Sequence, residues 1–385
     1  MVLPCPPAGL EDPLLARGGS GAPRGCQHEP GKRADGVGVP ARTAGLLPQA
    51  LSGADLRADL LARRRGLLAA GLVRRARPGR EGRRLSAHRP DLTVVILNWN
   101  ARRELEECLR SLMGQRFRHR VEVIVADNAS SDGSREMVRQ QFPGVRLIHH
   151  PRNLGFCAGN NRAVPEQPGR YVLFLNPDTV VTECALDTLV DFADALPDAG
   201  IVGPRLLNPD GTLQYSCRRF PSLGAGFFRN TPLGRLFPRN HYTTDYLMSD
   251  WDHAEPRDVD WVSGAALLIR REALEQTGGF DEQFFMYCED VDLCWRAGKL
   301  GWRVVYCPES VIYHIIGRSS DQVPARATWL FHRAMYLFYR KHYARATHPL
   351  LRPLVVPGLF ARAAGQIARY RWRRLKRMLS NRRAA

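Results

Sequence analysis

The feature that most constrains this chain is a recurrence: short β-branched apolar runs, each followed by a polar turn and then by a helical stretch. Residues 92–97 (LTVVIL), 121–126 (VEVIVA), 145–149 (VRLIH) and 171–175 (YVLFL) read as strands, and the first and last are apolar enough to be buried on both faces. Between them Leu105, Cys108, Leu109 and Leu112 recur at helical spacing, and a polar helix follows Gly133. Strands that alternate with helices build a parallel sheet through right-handed crossovers. The fold class is therefore α/β, a mainly parallel Rossmann-like sheet flanked by helices, and 385 residues leave room for one such domain with appendages.

Ligands on sheets of this kind bind beyond the carboxyl ends of the strands. Those ends are Asn98-Trp99-Asn100 after the first strand, residues 127–134 (DNASSDGS) after the second, and Asn176-Pro177-Asp178-Thr179 after the fourth. No G-x-G-x-x-G follows the first strand, and no G-x-x-x-x-G-K-[ST] occurs anywhere, so dinucleotide oxidoreductases and P-loop enzymes lose their main support. An acid at a strand end accepts hydrogen bonds from a base imide or a ribose hydroxyl, and another just beyond a strand can hold a divalent cation against a diphosphate. Asp127 suits the first task and Asp178 the second. Turns are rich in Asp, Asn and Ser in any case, so either residue alone carries little; three polar ends converging on one rim carry more.

Three further acidic doublets compete with Asp178, namely Asp250/Asp252, Asp258/Asp260 and Asp290/Asp292, but only Asp178 directly follows a buried-type strand. The last doublet suits other work. Residues 284–290 (FFMYCED) set acids beside an aromatic cluster at the start of a helix running through Trp295. Partial desolvation there raises a carboxylate's pKa and makes it a better general base. Asp290 is the candidate, with Glu289 next in line, and Asp292 reads as a helix N-terminal charge.

The segments TVVILNWN, VIVADNASSDGS, HPRNLGFCAGNN, YVLFLNPDTVV, VDWVSGAALLIRREALEQTGGFDEQFFMYCEDVDLCWR and VIYHIIGRSS, in that order over roughly residues 92–343, resemble the inverting family-2 glycosyltransferases of the GT-A fold, particularly their rhamnosyltransferase-like branch. The resemblance implies a nucleotide-sugar site and a single displacement at the anomeric carbon. It implies that Asp127, with Asn98 beside it, contacts the base. It likewise implies that the loop from Asn153 to Asn161 surrounds the nucleoside and diphosphate, with Gly155 and Gly159 permitting close backbone approach. Asp178 matches the last acid of the family's D-x-D, here reduced to Asn-Pro-Asp, which weakens the metal ligand set. His314 matches a position that completes the metal or diphosphate site, although a lone His near an apolar strand is ordinarily structural. Asp290 matches the catalytic base. Trp261, Ser263 and Gly264 would border the sugar pocket, and Arg296 and Arg318 would clamp phosphate or else serve as surface arginines. The implied cofactor is a divalent metal, Mg or Mn. The implied donor is thymidine-diphosphate rhamnose, and the implied acceptor a glycan or a polyprenyl-diphosphate-linked sugar.

Charge sets the remaining expectations. The net +18 points first to nucleic acid or an anionic membrane surface. Residues 1–90 carry 16 basic and 7 acidic side chains and residues 323–385 carry 15 basic and none acidic, leaving 91–322 at −6. This divides the chain into a basic N-terminal extension (1–90), a catalytic domain (91–322) and a basic aromatic helical extension (323–385). Within the first, residues 1–50 read as disordered and the leucines from Leu56 to Leu72 as a basic amphipathic helix, lying on lipid or packed on the domain. Aromatic and basic residues mix over 328–343, a Pro-broken apolar stretch follows at 350–368, and the tail is cationic; this predicts docking on an anionic membrane from the cytoplasmic side, or a packed helix with a solvated tail. No uninterrupted apolar run reaches spanning length and no secretory signal is present. Nine scattered cysteines argue for reduced thiols rather than a disulfide framework. Two rival readings remain: a catalytically silent sugar-nucleotide binder or scaffold, and nonspecific nucleic-acid binding through the basic ends. No motif for specific nucleic-acid recognition is present.

Overall fold

The computed structural model describes residues 89–228, 234, 236–237, 240–315 and 324–384. The expectations for residues 1–88, and the placement of Arg318, lie outside the described residues. Residues 89–385 belong to one compact unit.

The strands are β1 (Leu92–Asn98), β2 (Val121–Asp127), β3 (Arg146–His149), β4 (Tyr171–Leu175), β5 (Thr179–Val181), β6 (Ala199–Leu207), β7 (Cys217–Arg218), β8 (Arg257–Asp258), β9 (Trp261–Val262), β10 (Ala266–Arg270) and β11 (Arg303–His314). Nine of them form one sheet in the order β3-β2-β1-β4-β10-β6-β11-β5, with β8 also paired to β11, while β7 and β9 make a separate ribbon. The four strands read from the sequence are parallel neighbours in register, with Asn98 opposite Asp127 and Asp127 opposite His149. That register brings three polar strand ends to one rim.

Side chains alternate between two cores, as a pleated strand covered on both faces requires. Leu92, Val94 and Ile96 enter one core, where α1 (Arg102–Met113), α2 (Ser134–Gln141) and α4 (Ala185–Ala195) supply Leu105, Leu109, Leu112, Met137 and Leu189. Val95, Val172 and Phe174 enter the other, built from α3 (Phe156–Ala163), α7 (Arg271–Thr277), α8 (Glu289–Lys299) and α9 (Pro324–Phe338) through Cys157, Leu274, Leu293 and Phe338. Each fully buried Leu, Ile or Phe contributes about 1.5–3 kcal/mol, so the catalytic rim rests on a three-layer scaffold. Cys108, Cys157, Cys217, Cys288, Cys294 and Cys307 are free thiols.

One feature differs from the sequence reading. The run through Ala266–Arg270 lies antiparallel between β4 and β6, because the chain re-enters the sheet from the rim after an excursion that includes α5 (Leu223–Phe228), α6 (His241–Leu247) and the β7–β9 ribbon. This places residues 261–264 on the rim itself. The stretch at 350–368, its apolar run interrupted as read by Arg352, Pro353, Pro357 and Arg362, lies mostly within one helix, α10 (Arg352–Ala384), with Pro357 inside it. Pro353 falls in the first turn, where the missing N–H costs nothing, and Pro357 gives up one helical hydrogen bond. Among the described residues, no helix is long and apolar enough to cross a membrane.

Candidate active site

At the ends of β1 and β2, Asn98 and Asp127 are both buried. Asn98 donates from Nδ2 to Ser130 Oγ (3.1 Å), and Asp127 Oδ2 accepts from the Ser130 N–H (3.2 Å) with His149 Nδ1 at 3.4 Å and Arg135 Nε at 3.7 Å. One oxygen on each, Asn98 Oδ1 and Asp127 Oδ1, is buried without a partner. Unsatisfied buried acceptors are costly, and two side by side suit a ligand that brings donors, as a base imide or a ribose does.

The neighbouring loop is held by its own side chains. Asn128 receives the Leu154 N–H (2.9 Å) and donates to Asn153 Oδ1 (3.0 Å), which itself accepts the Gly155 N–H (2.9 Å). Gly155 has φ +84°, and a Cβ there would lie 2.6 Å from the Phe285 ring; a Cβ on Gly159 would lie 2.6 Å from Leu97. The close approach that these glycines permit is thus to the protein's own residues: Gly155 lets the loop meet the 284–288 turn, and Gly159 lets α3 meet β1. Asn161 is likewise engaged, donating to Phe280 O (2.8 Å) and accepting the Phe280 N–H (2.9 Å).

Beyond β4, Asp178 is buried beside His314, with Nε2 3.4 Å from Asp178 Oδ1. Gln214 decides how that pair is wired. Its Nε2 donates to His314 O (3.1 Å) and to Asn208 Oδ1 (2.9 Å), so its Oε1 faces His314 Nδ1 at 2.7 Å as an acceptor. Nδ1 therefore carries the proton, and the Nε2 lone pair points at Asp178 Oδ1, which has no hydrogen-bond partner. Two acceptors face each other, and a cation between them, a proton or a metal, satisfies both. The described residues contain no cluster of three or more His, Cys, Asp or Glu side chains suited to a metal, so a metal here would take most of its ligands from substrate phosphates and water, as Mg²⁺ commonly does.

Asp290 stands at the N-terminus of α8, after two left-handed residues, Tyr287 (φ 76°) and Cys288 (φ 62°). Each costs about 1–3 kcal/mol, strain of the kind that collects at working sites. Asp290 Oδ2 accepts the Gly264 N–H (3.0 Å) and Oδ1 its neighbour Val291 N–H (2.9 Å). Because Ala265 O receives the Asn176 N–H (2.9 Å), Asp290 lies one residue across from the Asn-Pro-Asp turn. Burial pushes its pKa up, an effect only partly offset by the two N–H donors and the Arg218 charge. Glu289 is driven well above the usual carboxylate range by burial and then by the Asp290 charge, and its Oε2 has no partner.

Two sequence candidates, Arg296 and Trp261, are used otherwise, while Asp292 is the helix N-terminal charge expected of it. Arg296 spends its donors on Asp292 (2.7 Å), Thr277 O (2.5 Å) and Gly279 O (2.7 Å), bracing α8 against the α7 turn rather than offering a phosphate clamp. Trp261 is buried, its Nε1 donating to Arg219 O (2.8 Å); it shapes the rim from below. Asp292 is fully buried and bound by Arg296, Lys341 and His342, each at 2.7 Å. The sequence reading missed Gln214, Arg218 and the 341–342 pair. A polar run, Gln214-Tyr-Ser-Cys-Arg218-Arg219, directly before Phe-Pro was the only signal, and without the fold nothing assigns it to this rim.

The mixed sheet, with helices on both faces and acids along one rim, is an α/β architecture of the GT-A type. Residues 90–330 match the family described as "Glycosyltransferase like family 2", and the chain belongs to that family. It is 38% identical over 258 residues, covering 64% of this chain and 83% of the relative, to the N-acetylglucosaminyl-diphospho-decaprenol L-rhamnosyltransferase of Mycobacterium tuberculosis. It is 30% identical over 197 residues, 48% of this chain and 69% of the relative, to rhamnosyltransferase WbbL of Escherichia coli. Among solved structures, the mannosyltransferase PcManGT from Pyrobaculum calidifontis with GDP-Man and Mn²⁺ has a TM-score of 0.46 at 20% identity, covering 81% of this chain and 82% of that one. That likeness is too loose to bear on function.

Proposed function

We propose that this glycosyltransferase moves L-rhamnose from thymidine-diphosphate rhamnose to a hydroxyl of a polyprenyl-diphosphate-linked sugar, with inversion. The observation that carries the reaction is Asp290: a carboxylate of raised pKa, aimed by two backbone N–H groups, one residue across from the Asn-Pro-Asp turn. The donor and acceptor follow the Mycobacterium relative. Asn98 and Asp127 meet the nucleoside with their unpaired oxygens. Asp178 and His314 would hold a divalent metal, with Gln214 fixing the His tautomer; such an ion supplies charge neutralisation for the departing diphosphate. Asp290 takes the acceptor hydroxyl's proton as that oxygen attacks the anomeric carbon, and one displacement inverts the centre. Glu289, its pKa raised well above the usual carboxylate range by burial and by the Asp290 charge, resists placing a second negative charge beside the base.

The polyprenyl acceptor requires a membrane surface, and the C-terminal helices suit docking on the cytoplasmic leaflet. Trp329, Leu350, Leu351, Leu354 and Trp372 are exposed, and the sequences of α9 and α10 contain arginines but no Asp or Glu. Apolar groups beside helices whose own sequences carry arginines and no acid are what an anionic interface binds. A panel of nucleotide sugars presented with a short-chain polyprenyl-diphosphate N-acetylglucosamine tests the reading. Transfer from thymidine-diphosphate rhamnose, abolished by chelator and restored by Mg²⁺ or Mn²⁺, is expected. Transfer from a different donor, or turnover indifferent to chelator, overturns the donor or the metal assignment respectively.

A further inference from the structure

Arg218 lies at the centre of the rim, yet neither the nucleoside end nor the metal pair uses it. It is 2% exposed, held in the β7–β9 ribbon opposite Trp261. Its Nε donates to Tyr215 O (3.0 Å), and its guanidinium lies 5.2 Å from the Trp261 ring and 5.7 Å from the Tyr246 ring. Nη1 is buried with no hydrogen-bond partner, and among the described residues no carboxylate pairs with the guanidinium. The nearest negative charge is Asp290, whose pKa the guanidinium lowers from beyond ion-pair distance; a buried cation with no direct partner is costly, and aromatic faces return only about 0.5–2 kcal/mol. Arg296, nearby and only half-buried, by contrast has all three guanidinium nitrogens partnered. Arg218 is therefore built for an anion that arrives with substrate.

Which anion follows from the order of groups along the same segment. Gln214 fixes His314 at the metal pair; Ser216 O receives the Ser263 N–H (2.7 Å), next to the Gly264 that holds Asp290; Arg218 comes two residues later. The leaving diphosphate is met at the Gln214 end and the acceptor hydroxyl at Asp290. That order would set an anion at Arg218 beyond the base, on the acceptor's side. We infer that Arg218 reads the phosphate of the lipid-linked acceptor, so that the enzyme selects a sugar that is already attached to a diphosphate. The inference rests on the proposed acceptor class and adds the residue that enforces it. A guanidinium suits the task, since its fixed fork pairs two phosphate oxygens at once.

The experiment compares kcat/KM on two acceptors carrying the same sugar: one linked through a diphosphate to a short prenyl chain, the other a phosphate-free alkyl glycoside of similar length. Donor KM is measured alongside. The wild-type protein is expected to prefer the diphosphate acceptor by on the order of 10²-fold or more, two charge-assisted hydrogen bonds being worth about 3 kcal/mol. Arg218→Gln collapses that ratio towards one without raising donor KM, and Arg218→Lys, which keeps the charge and the fold but not the fork, falls between. If Arg218 served only to position Asp290 or support the ribbon, both acceptors would suffer alike and the ratio would survive, which overturns the inference. A rise confined to donor KM overturns it too, by moving the anion to the leaving group. A wild-type protein that turns over both acceptors equally also refutes it. In that case the proposed rhamnosyl transfer still stands, being read from the donor panel.

Discussion

Asp290 and Asp292 sit two residues apart in the first turn of one helix and are put to opposite uses. Asp290 meets two backbone N–H groups and no cation within ion-pair reach among the described residues, so burial prevails and its pKa rises. Burial would raise Asp292 as well, but the His342 hydrogen bond, the Arg296 charge and Lys341 outweigh it and hold the carboxyl at about 2. The difference teaches that the charge environment, more than helix position or burial, separates a carboxylate of raised pKa from one held as an anion. It also couples distant parts. His342 and Lys341 belong to the π-helical turn Tyr339–Tyr343 that follows α9, so the anchor of the catalytic helix comes from the segment that precedes the basic C-terminal helix.

Exchanging the two roles is the sharpest way to break this comparison. Asp290→Asn is expected to lower kcat by on the order of 10²–10⁴ with little change in the unfolding midpoint, since a general base contributes about that much; steady-state turnover at saturating donor, paired with a denaturant melt, checks both. If turnover survives there and is lost in Asp292→Asn instead, the assignment is inverted. Next in size, Asp292→Ala leaves Arg296, Lys341 and His342 without their shared anion, a loss of about 3–5 kcal/mol of stability by the usual cost of breaking a buried pair, measured by urea unfolding at neutral pH.

The smallest effect lies in pH dependence. Asp292 has a folded pKa below its unfolded one, so its contribution is present above about pH 4 and is lost as pH falls towards about 2, on the order of 2 kcal/mol. Glu289 has the opposite sign. Its folded pKa is raised, so the penalty for burying it is absent below the ordinary carboxylate range and grows as pH climbs from there through the raised value. Glu289→Gln should therefore raise the melting temperature at about pH 8 and leave it nearly unchanged at about pH 4; an equal shift at both would mean that Glu289 is not held protonated.

Much of the scaffold was legible because its signals are local. Tyr171–Leu175 was read to its exact ends, and Leu105, Cys108, Leu109 and Leu112 are the buried face of α1. Asp127 and Asp178 could be picked out because a residue that ends a buried strand has one place to be. Asp290 was legible for a related reason, an acid among aromatics at a helix start. What was misread was side-chain direction. Arg296 and Asn161 are near the rim, yet their donors are spent on Asp292 and Phe280. Spacing along the chain says that a donor is available; only the neighbours that reach it first say whether it stays available.

The sequence by itself determined the alternation of buried strands and helices, the polar ends of those strands, and the segregation of positive charge to the termini, since apolar periodicity and charge are properties of short stretches. Only the tertiary structure decided that β10 returns antiparallel and carries residues 261–264 to the rim, that Gln214 aims His314, and that Arg296, Lys341 and His342 from two segments claim Asp292 while the Arg218 guanidinium keeps an unpartnered Nη1. Those are contacts between residues as many as 100 positions apart, and a pKa, a tautomer or an unpaired guanidinium depends on the whole set of neighbours that folding assembles.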